Sequence, residues 1–188
     1  MIWENNQDIR LEHCASSRHH IQQTLDLCRE ERRPYVILTD KCMIPTSESQ
    51  ISNILVPITM LEEEVYKAEI CTYLARKTGA HLILLRANDY GSKAKQNTTR
   101  IIQHIQTISK RTGIPITYEE HIAQGDSFSI HKELHRFPID CQLILLTASR
   151  EYGLDDWLFG PPELYVIRHS KIPIMLVNPR SDLFSLCD

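Results

Sequence analysis

Glycine is scarce in this chain of 188 residues. Six glycines are present, about half the number that an average usage of ~7% would give. Loops that cradle phosphate groups usually need glycine, and neither a G-x-G-x-x-G nor a G-x-x-x-x-G-K-[ST] pattern occurs. The chain therefore lacks the dinucleotide loop and the P-loop in their usual forms.

Signals for membrane insertion, secretion and disulfide formation are also missing. No apolar run approaches the ~18 residues that span a membrane, and the N-terminus lacks the basic-then-apolar pattern of a secretory signal. The six cysteines form no CxxC pair, so we expect a reduced, cytoplasmic protein. The formal charge of -3 predicts no general attraction to nucleic acid or anionic membranes.

Patterns for catalysis and metal binding are absent as well. The chain has no G-x-S-x-G and no HExxH. His131 and His135 are spaced to share a helix face, but a zinc site needs a third ligand, and a solvated face is the simpler interpretation. The adjacent Asp155 and Asp156 point apart rather than acting as a pair. We therefore expect no catalytic residue and no metal site.

Apolar runs alternate with amphipathic segments along the chain. The predicted strands are Tyr35–Thr39, Ile51–Ile58, His81–Arg86, Ile114–Tyr118, Leu143–Thr147 and Ile174–Val177, and the predicted helices are His20–Arg32, Glu62–Lys77, 94–111, Phe128–Arg136 and Glu163–His169. The strands are mostly continuous apolar runs, which indicates burial on both faces. From residue 51 onward this predicts an α/β fold, a doubly wound five-stranded parallel sheet with helices on both faces.

A linker rich in Pro, Ser and Thr separates an N-terminal extension, residues 1–50, from a domain at 51–180 and a tail at 181–188. The extension and the domain end with the same order of elements, which is a helix, a short turn, a proline and an apolar strand. A shift of 139 residues gives three identities, which pair Leu25 with Leu164, Arg29 with Arg168 and Pro34 with Pro173. We hypothesise that the extension is the remnant of a preceding repeat. The alternative is that any turn from a helix to a strand looks like this.

Two arginines follow predicted strands at the edge of the sheet where ligands bind in this fold class. Arg86 ends one strand and Arg150 follows another. Two guanidinium groups at this edge would suit an anion. The alternative is that they pair with local carboxylates such as Asp89 or Glu151.

Several short motifs occur in a fixed order from residue 51 to residue 180. They are Asn53–Ile58, Gly79-Ala80, Gly125-Asp126, Leu143–Leu146, Gly153-Leu154, Leu158–Gly160, and Val166–His169 before Pro173–Val177. With them, this region resembles the universal stress protein family. The resemblance implies a five-stranded parallel sheet, dimerisation through the last strand, tandem copies in many members and ATP binding in some.

The chain departs from the ATP-binding members of that family. Those members carry Asp after the first strand, where this chain has Thr59. Their phosphate loop has three glycines followed by Ser or Thr, and only Gly160 matches. Pro161 and Pro162 lack the N–H groups that phosphate needs. The resemblance thus implies a degenerate pocket, whose candidate residues are Thr59, Arg86, Thr147, Arg150 and Gly160.

We predict a non-enzymatic stress-response sensing or interaction module that requires no cofactor and has no ordinary ATP binding. The alternatives are ATP itself and a different anion held by Arg86 and Arg150. We also predict a homodimer through Ile174–Val177, an edge that Tyr35–Thr39 would alternatively cover within the chain. The alternative functions are a nucleotide-binding protein or slow ATPase with a modified phosphate site, and a regulatory partner of a transporter. Three roles stay open for Trp157: a lid, a core anchor or a contact surface.

Overall fold

The computed structural model describes residues 9–31, 34–42, 51–134, 137, 140–148 and 161–178. Its strands are β1 (Arg10–Cys14), β2 (Tyr35–Thr39), β3 (Asn53–Ile58), β4 (His81–Arg86), β5 (Tyr118–Ile122), β6 (Leu143–Thr147) and β7 (Ile174–Val177). Its α-helices are α1 (Arg18–Glu30), α2 (Lys67–Thr78), α3 (Lys93–Thr112) and α4 (Pro162–His169). Two 3₁₀ segments lie at Glu62–Tyr66 and Ile130–Lys132.

The strands form one sheet in the order β1-β2-β7-β6-β3-β4-β5. Strands β3 to β7 run parallel to one another, which confirms the predicted α/β fold with its five-stranded parallel core. Strand β2 pairs antiparallel with β7, and β1 runs parallel to β2. The N-terminal extension therefore adds two strands to the same sheet, which has seven in all.

Helices cover both faces of the sheet, as the apolar patterns predict. The buried residues of α2 and α3 pack on one face, and those of α1 and α4 pack on the other. Strand β2 contributes to both layers, because Val36 and Leu38 point into the first and Tyr35 and Ile37 into the second. The N-terminal extension is thus part of both halves of the hydrophobic core.

The pairing of β2 with β7 follows the internal repeat. The shift of 139 residues places Val36 on Met175, and these two residues face each other across the strand pair. On either side, Tyr35 faces Leu176 and Ile37 faces Ile174. Tyr35 therefore pairs with the counterpart of Ile37, and Ile37 pairs with the counterpart of Tyr35, as expected for a local two-fold axis through Val36 and Met175.

The last turns of α1 and α4 are capped in the same reciprocal way. The shift also aligns the ends of these helices, Glu30 and His169. Beyond β7, the Asn178 amide donates to the carbonyl oxygens of Cys28 (2.8 Å) and Glu31 (2.7 Å) at the end of α1. Beyond β2, Nζ of Lys41 donates to the carbonyl oxygen of Arg168 (3.0 Å) in α4. Each half thus satisfies helix-terminal carbonyl groups of the other.

Both edges of β7 are paired within one chain, with β6 on one side and β2 on the other. In the structure, β2 of the N-terminal extension covers this edge, as one of the two alternatives predicted. A homodimer through β7 would have to displace β2, and the oligomeric state itself stays a prediction.

Both outer strands of the sheet differ from the sequence-based expectation. The strand predicted at Ile114–Tyr118 is wrong, since β5 begins at Tyr118 and ends at Ile122. Strand β1 is not among the predicted strands. Each lies at an edge and carries charged residues that face water, so neither has the continuous apolar run of an inner strand. Pro115 also lacks the N–H group that a strand at 114–118 would use.

The helix predicted at Phe128–Arg136 is also wrong in the residues that the structure describes, where only the 3₁₀ turn Ile130–Lys132 forms. The Asp126 carboxylate accepts from the Ser129 N–H (3.0 Å), and the Glu133 carboxylate accepts from the N–H groups of Gln124 and Gly125. The Glu133 side chain thus folds back on the residues before the turn.

Replacing Leu25 by Ala tests whether the N-terminal extension belongs to the core. Leu25 is 1% exposed, so we expect the variant to lose about 2–5 kcal/mol of unfolding free energy, measured in urea. The matched control is Leu27→Ala on the same helix, which is 38% exposed and should change stability by less than about 1 kcal/mol. Equal effects for the two variants would contradict this packing.

Candidate functional site

The sheet opens between β3 and β6, at the point where the strand order reverses. These strands pair only through Ile54 with Leu143 and Leu55 with Ile144. Farther along β3 lies Pro57, which has no N–H group to donate to a neighbouring strand. The two strands separate here, and ligands bind at such switch points in α/β sheets.

A cavity of about 80 Å³ fills this opening. Of the candidate pocket residues, Thr59 and Thr147 both line it, one after β3 and one at the end of β6. Arg86 does not line it, and Arg150 and Gly160 lie outside the described residues, as does Trp157. The hydroxyl of Thr147 is buried and has no hydrogen-bond partner.

The floor of the cavity holds a buried ion pair. Lys67 is 1% exposed and Glu64 is 3% exposed, and the two side chains are in contact. The Lys67 ammonium also donates to the carbonyl oxygen of Pro57. Glu64 accepts a hydrogen bond from the Thr59 hydroxyl (2.8 Å). The residues joined by these bonds therefore lie in β3, in the loop and 3₁₀ segment after it, and at the start of α2.

Two further side chains fix the loops around the cavity. The Asn97 amide donates to the carbonyl oxygens of Thr59 (3.0 Å) and Leu61 (2.7 Å). Ser127 accepts from the Met60 N–H (2.8 Å), and its own N–H and hydroxyl donate to the Asp89 carboxylate. These bonds hold the loops after β3, β4 and β5 in one arrangement, so the cavity is preformed.

The wall formed by α4 is acidic. Pro161 and Pro162 begin this helix without N–H groups, and the side chain of Glu163, 4% exposed, lines the cavity. A carboxylate in the first turn is stabilised by the helix dipole, so Glu163 occupies the place that suits a bound anion. Burial lowers the pKa of His131, which also lines the cavity, so this imidazole is neutral at pH 7.

Arg86, at the end of β4, points to the next strand instead. Its Nε donates to Oε1 of Glu120 on β5 at 3.0 Å. The guanidinium charge is therefore balanced by a neighbouring carboxylate, and Arg86 is not aimed at the cavity.

The cysteines and the metal-binding side chains carry no further site within the described ranges. No cluster of three His, Cys, Asp or Glu side chains there would hold a metal ion. All five described cysteines are free, and burial raises the pKa of the Cys28 and Cys71 thiols to about 12. These two are thus inert apolar side chains. No helix in the same ranges is long and apolar enough to cross a membrane.

No family model and no curated protein matches the sequence. Solved structures do match. The structure of a universal stress protein from Archaeoglobus fulgidus DSM 4304 superposes with a TM-score of 0.66 and 17% identity, over 96% of this chain and 64% of that one. A universal stress protein in complex with cAMP superposes with a TM-score of 0.52 and 17% identity. The domain has the universal stress protein fold.

The share of each chain that superposes differs between the shorter and the longer structures. The cAMP-bound protein is covered over 98% of its length by 69% of this chain. The Archaeoglobus protein is longer, and this chain spans about two thirds of it. A functionally unknown protein, PA1789 from Pseudomonas aeruginosa PAO1, gives the same pattern, with 92% of this chain on 63% of that one (TM-score 0.54, 13% identity). This chain therefore covers nearly all of the shorter structure and about two thirds of the longer ones.

The sequence interpretation missed the charged groups that define the cavity. Glu64 and Lys67 were assigned to a helical run, and Glu163 to a helix start, without a role at the site. Their spacing did hold a signal, since Glu64 and Lys67 are three residues apart and face each other on a helix. That spacing predicts contact, and only the packing of α2 against β3 shows that the pair is buried.

Removing the Lys67 charge should destabilise the chain because it leaves Glu64 buried without its partner. We expect Lys67→Met to lose about 3–5 kcal/mol of unfolding free energy in urea. Glu64→Gln combined with Lys67→Met removes both charges and should recover most of that loss. The control Lys95→Met, on an exposed lysine, should change little. A single variant as stable as the double one would contradict the buried pair.

Proposed function

We propose that this chain is a non-enzymatic sensing or interaction module, built on the universal stress protein fold, whose nucleotide site is degenerate. One observation carries the proposal: at the start of α4, Pro162 and the buried side chain of Glu163 line the cavity. An anionic phosphate group would meet negative charge there and would find no N–H donors from Pro161 and Pro162.

The energies support this proposal. A hydrogen bond to a charged group contributes roughly 1.5–3 kcal/mol, and micromolar affinity amounts to about 8 kcal/mol. Loss of several such bonds removes most of that affinity. Lys67 and Glu64 form an ion pair with each other at the cavity, so a carboxylate of this chain already engages the Lys67 ammonium.

The size of the cavity points the same way. Pockets for drug-sized ligands usually enclose about 300–1,000 Å³. The cavity between β3 and β6 has about 80 Å³, which suits a few water molecules or a small neutral group. The universal stress protein that was solved with cAMP binds a cyclic nucleotide on the fold that this chain shares. We propose that neither ATP nor a cyclic nucleotide is the ordinary ligand of this cavity.

The hydroxyl groups around the cavity support a role without catalysis. Those of Thr59 and Ser127 donate to the carboxylates of Glu64 and Asp89, and that of Thr147 has no partner. None of the three is hydrogen-bonded to a histidine that would act as a base, among the residues that the structure describes. An activated nucleophile is therefore not assembled by these groups.

Thermal unfolding with and without millimolar ATP and magnesium tests the proposal. A ligand at 100 times its dissociation constant adds about 2.7 kcal/mol, which for a chain of this size raises the midpoint by roughly 5–10 °C. We expect no such shift from binding in this cavity. Tripolyphosphate with magnesium is the matched control for general anion effects. A shift of that size with ATP and none with tripolyphosphate would show a rebuilt nucleotide site.

A further inference from the structure

A second and larger cleft lies along the outer face of α4. It has a volume of about 350 Å³, within the range of ligand pockets. It is lined by the whole length of α4, by Pro161 before it and by the 3₁₀ turn at 130–132. The lining residues are His131, Lys132, Pro161, Pro162, Leu164, Tyr165, Arg168 and His169.

The charge of the cleft is positive. Lys132 and Arg168 are both exposed there, and none of the described lining residues carries a carboxylate. Within the part of the chain that the structure describes, neither the Lys132 ammonium nor the Arg168 guanidinium has an ion pair or hydrogen bond. Two cations without compensation on one concave surface favour an anion, and a guanidinium holds a carboxylate or phosphate through two parallel bonds.

Three rings in contact with one another line the same cleft. The His169 ring stacks on Tyr165 with centroids 4.2 Å apart, and the His131 ring meets Tyr165 edge to face at 5.4 Å. Nδ1 of His131 is buried and has no hydrogen-bond partner. Such a group of rings offers a flat, partly apolar surface to another ring, with one polar atom left to be satisfied.

We propose that this cleft binds a small organic anion that joins a carboxylate or phosphate group to a flat ring. The anionic group lies between Lys132 and Arg168, and the ring packs against the rings of Tyr165 and the two histidines. This site is distinct from the acidic cavity between β3 and β6. The two share only His131 and Pro162, and neither cation of the cleft lines the cavity.

Titration of the full chain with phenyl phosphate tests the proposal, followed by calorimetry and by the NMR signals of the histidine rings. We expect binding that moves the His131 and His169 signals. Benzyl alcohol supplies the ring alone and inorganic phosphate the anion alone, and both should bind more weakly. Phenyl phosphate that does not bind, or that binds no better than inorganic phosphate, would overturn the proposal.

Two double variants separate this cleft from general attraction to positive charge. Lys132→Gln with Arg168→Gln should weaken phenyl phosphate binding by about tenfold or more, because both charged contacts are lost. Arg100→Gln with Lys110→Gln removes two exposed charges from α3 and should leave binding unchanged. Equal weakening in the two double variants would contradict the site. Unchanged urea midpoints verify that both variants fold.

The ATP experiment is repeated in the Lys132 and Arg168 double variant to keep the two proposals apart. An ATP shift that persists in this variant belongs to the cavity and contradicts the proposed function alone. An ATP shift seen in the unaltered chain and lost in the variant supports the cleft as the anion site. Tyr165→Leu removes the middle ring and should weaken phenyl phosphate while leaving inorganic phosphate unaffected, and the reverse result would overturn the role of the rings.

Discussion

The antiparallel pairing of β2 with β7 is the interaction on which the rest of the structure depends. It joins the N-terminal extension to the domain, and Val36 faces Met175 at the centre of the strand pair. An apolar edge strand invites pairing with other chains. Here the chain supplies its own partner, and Asn178 and Lys41 complete the helices on either side of the local two-fold axis. The N-terminal extension therefore occupies the edge of β7 that would otherwise be open to another strand.

The opening of the sheet follows from a different constraint, the missing N–H group of Pro57. Where β3 and β6 separate, the chain fills the space with its own charges, so that Glu64, Lys67 and Glu163 surround a small cavity. The first turn of α4 is acidic toward this cavity, whereas its outer face is basic because of Arg168 and the neighbouring Lys132. The side of α4 that faces the cavity therefore disfavours anions, and its outer face favours them.

Inner strands were predictable from the sequence, and edge strands were not. Tyr35–Thr39 and Ile174–Val177 are continuous apolar runs, and the structure places both strands at those bounds. Arg10–Cys14 and Tyr118–Ile122 carry charges because one side of each meets water, which removes the apolar signal. At the site, the positions of Thr59 and Thr147 were predictable, because each lies where an inner strand ends. The buried contact of Lys67 does not, because it depends on how α2 packs against β3.

Native-state hydrogen exchange tests most directly whether the extension and the domain form one cooperative unit. The amides of β2 should exchange with the same free energy of opening as those of β3 and β6, since β2 is buried in both layers of the core. Exchange of β2 through a separate opening of much lower free energy, while β6 stays protected, would contradict this. The extension would then be an appendage that the domain does not need.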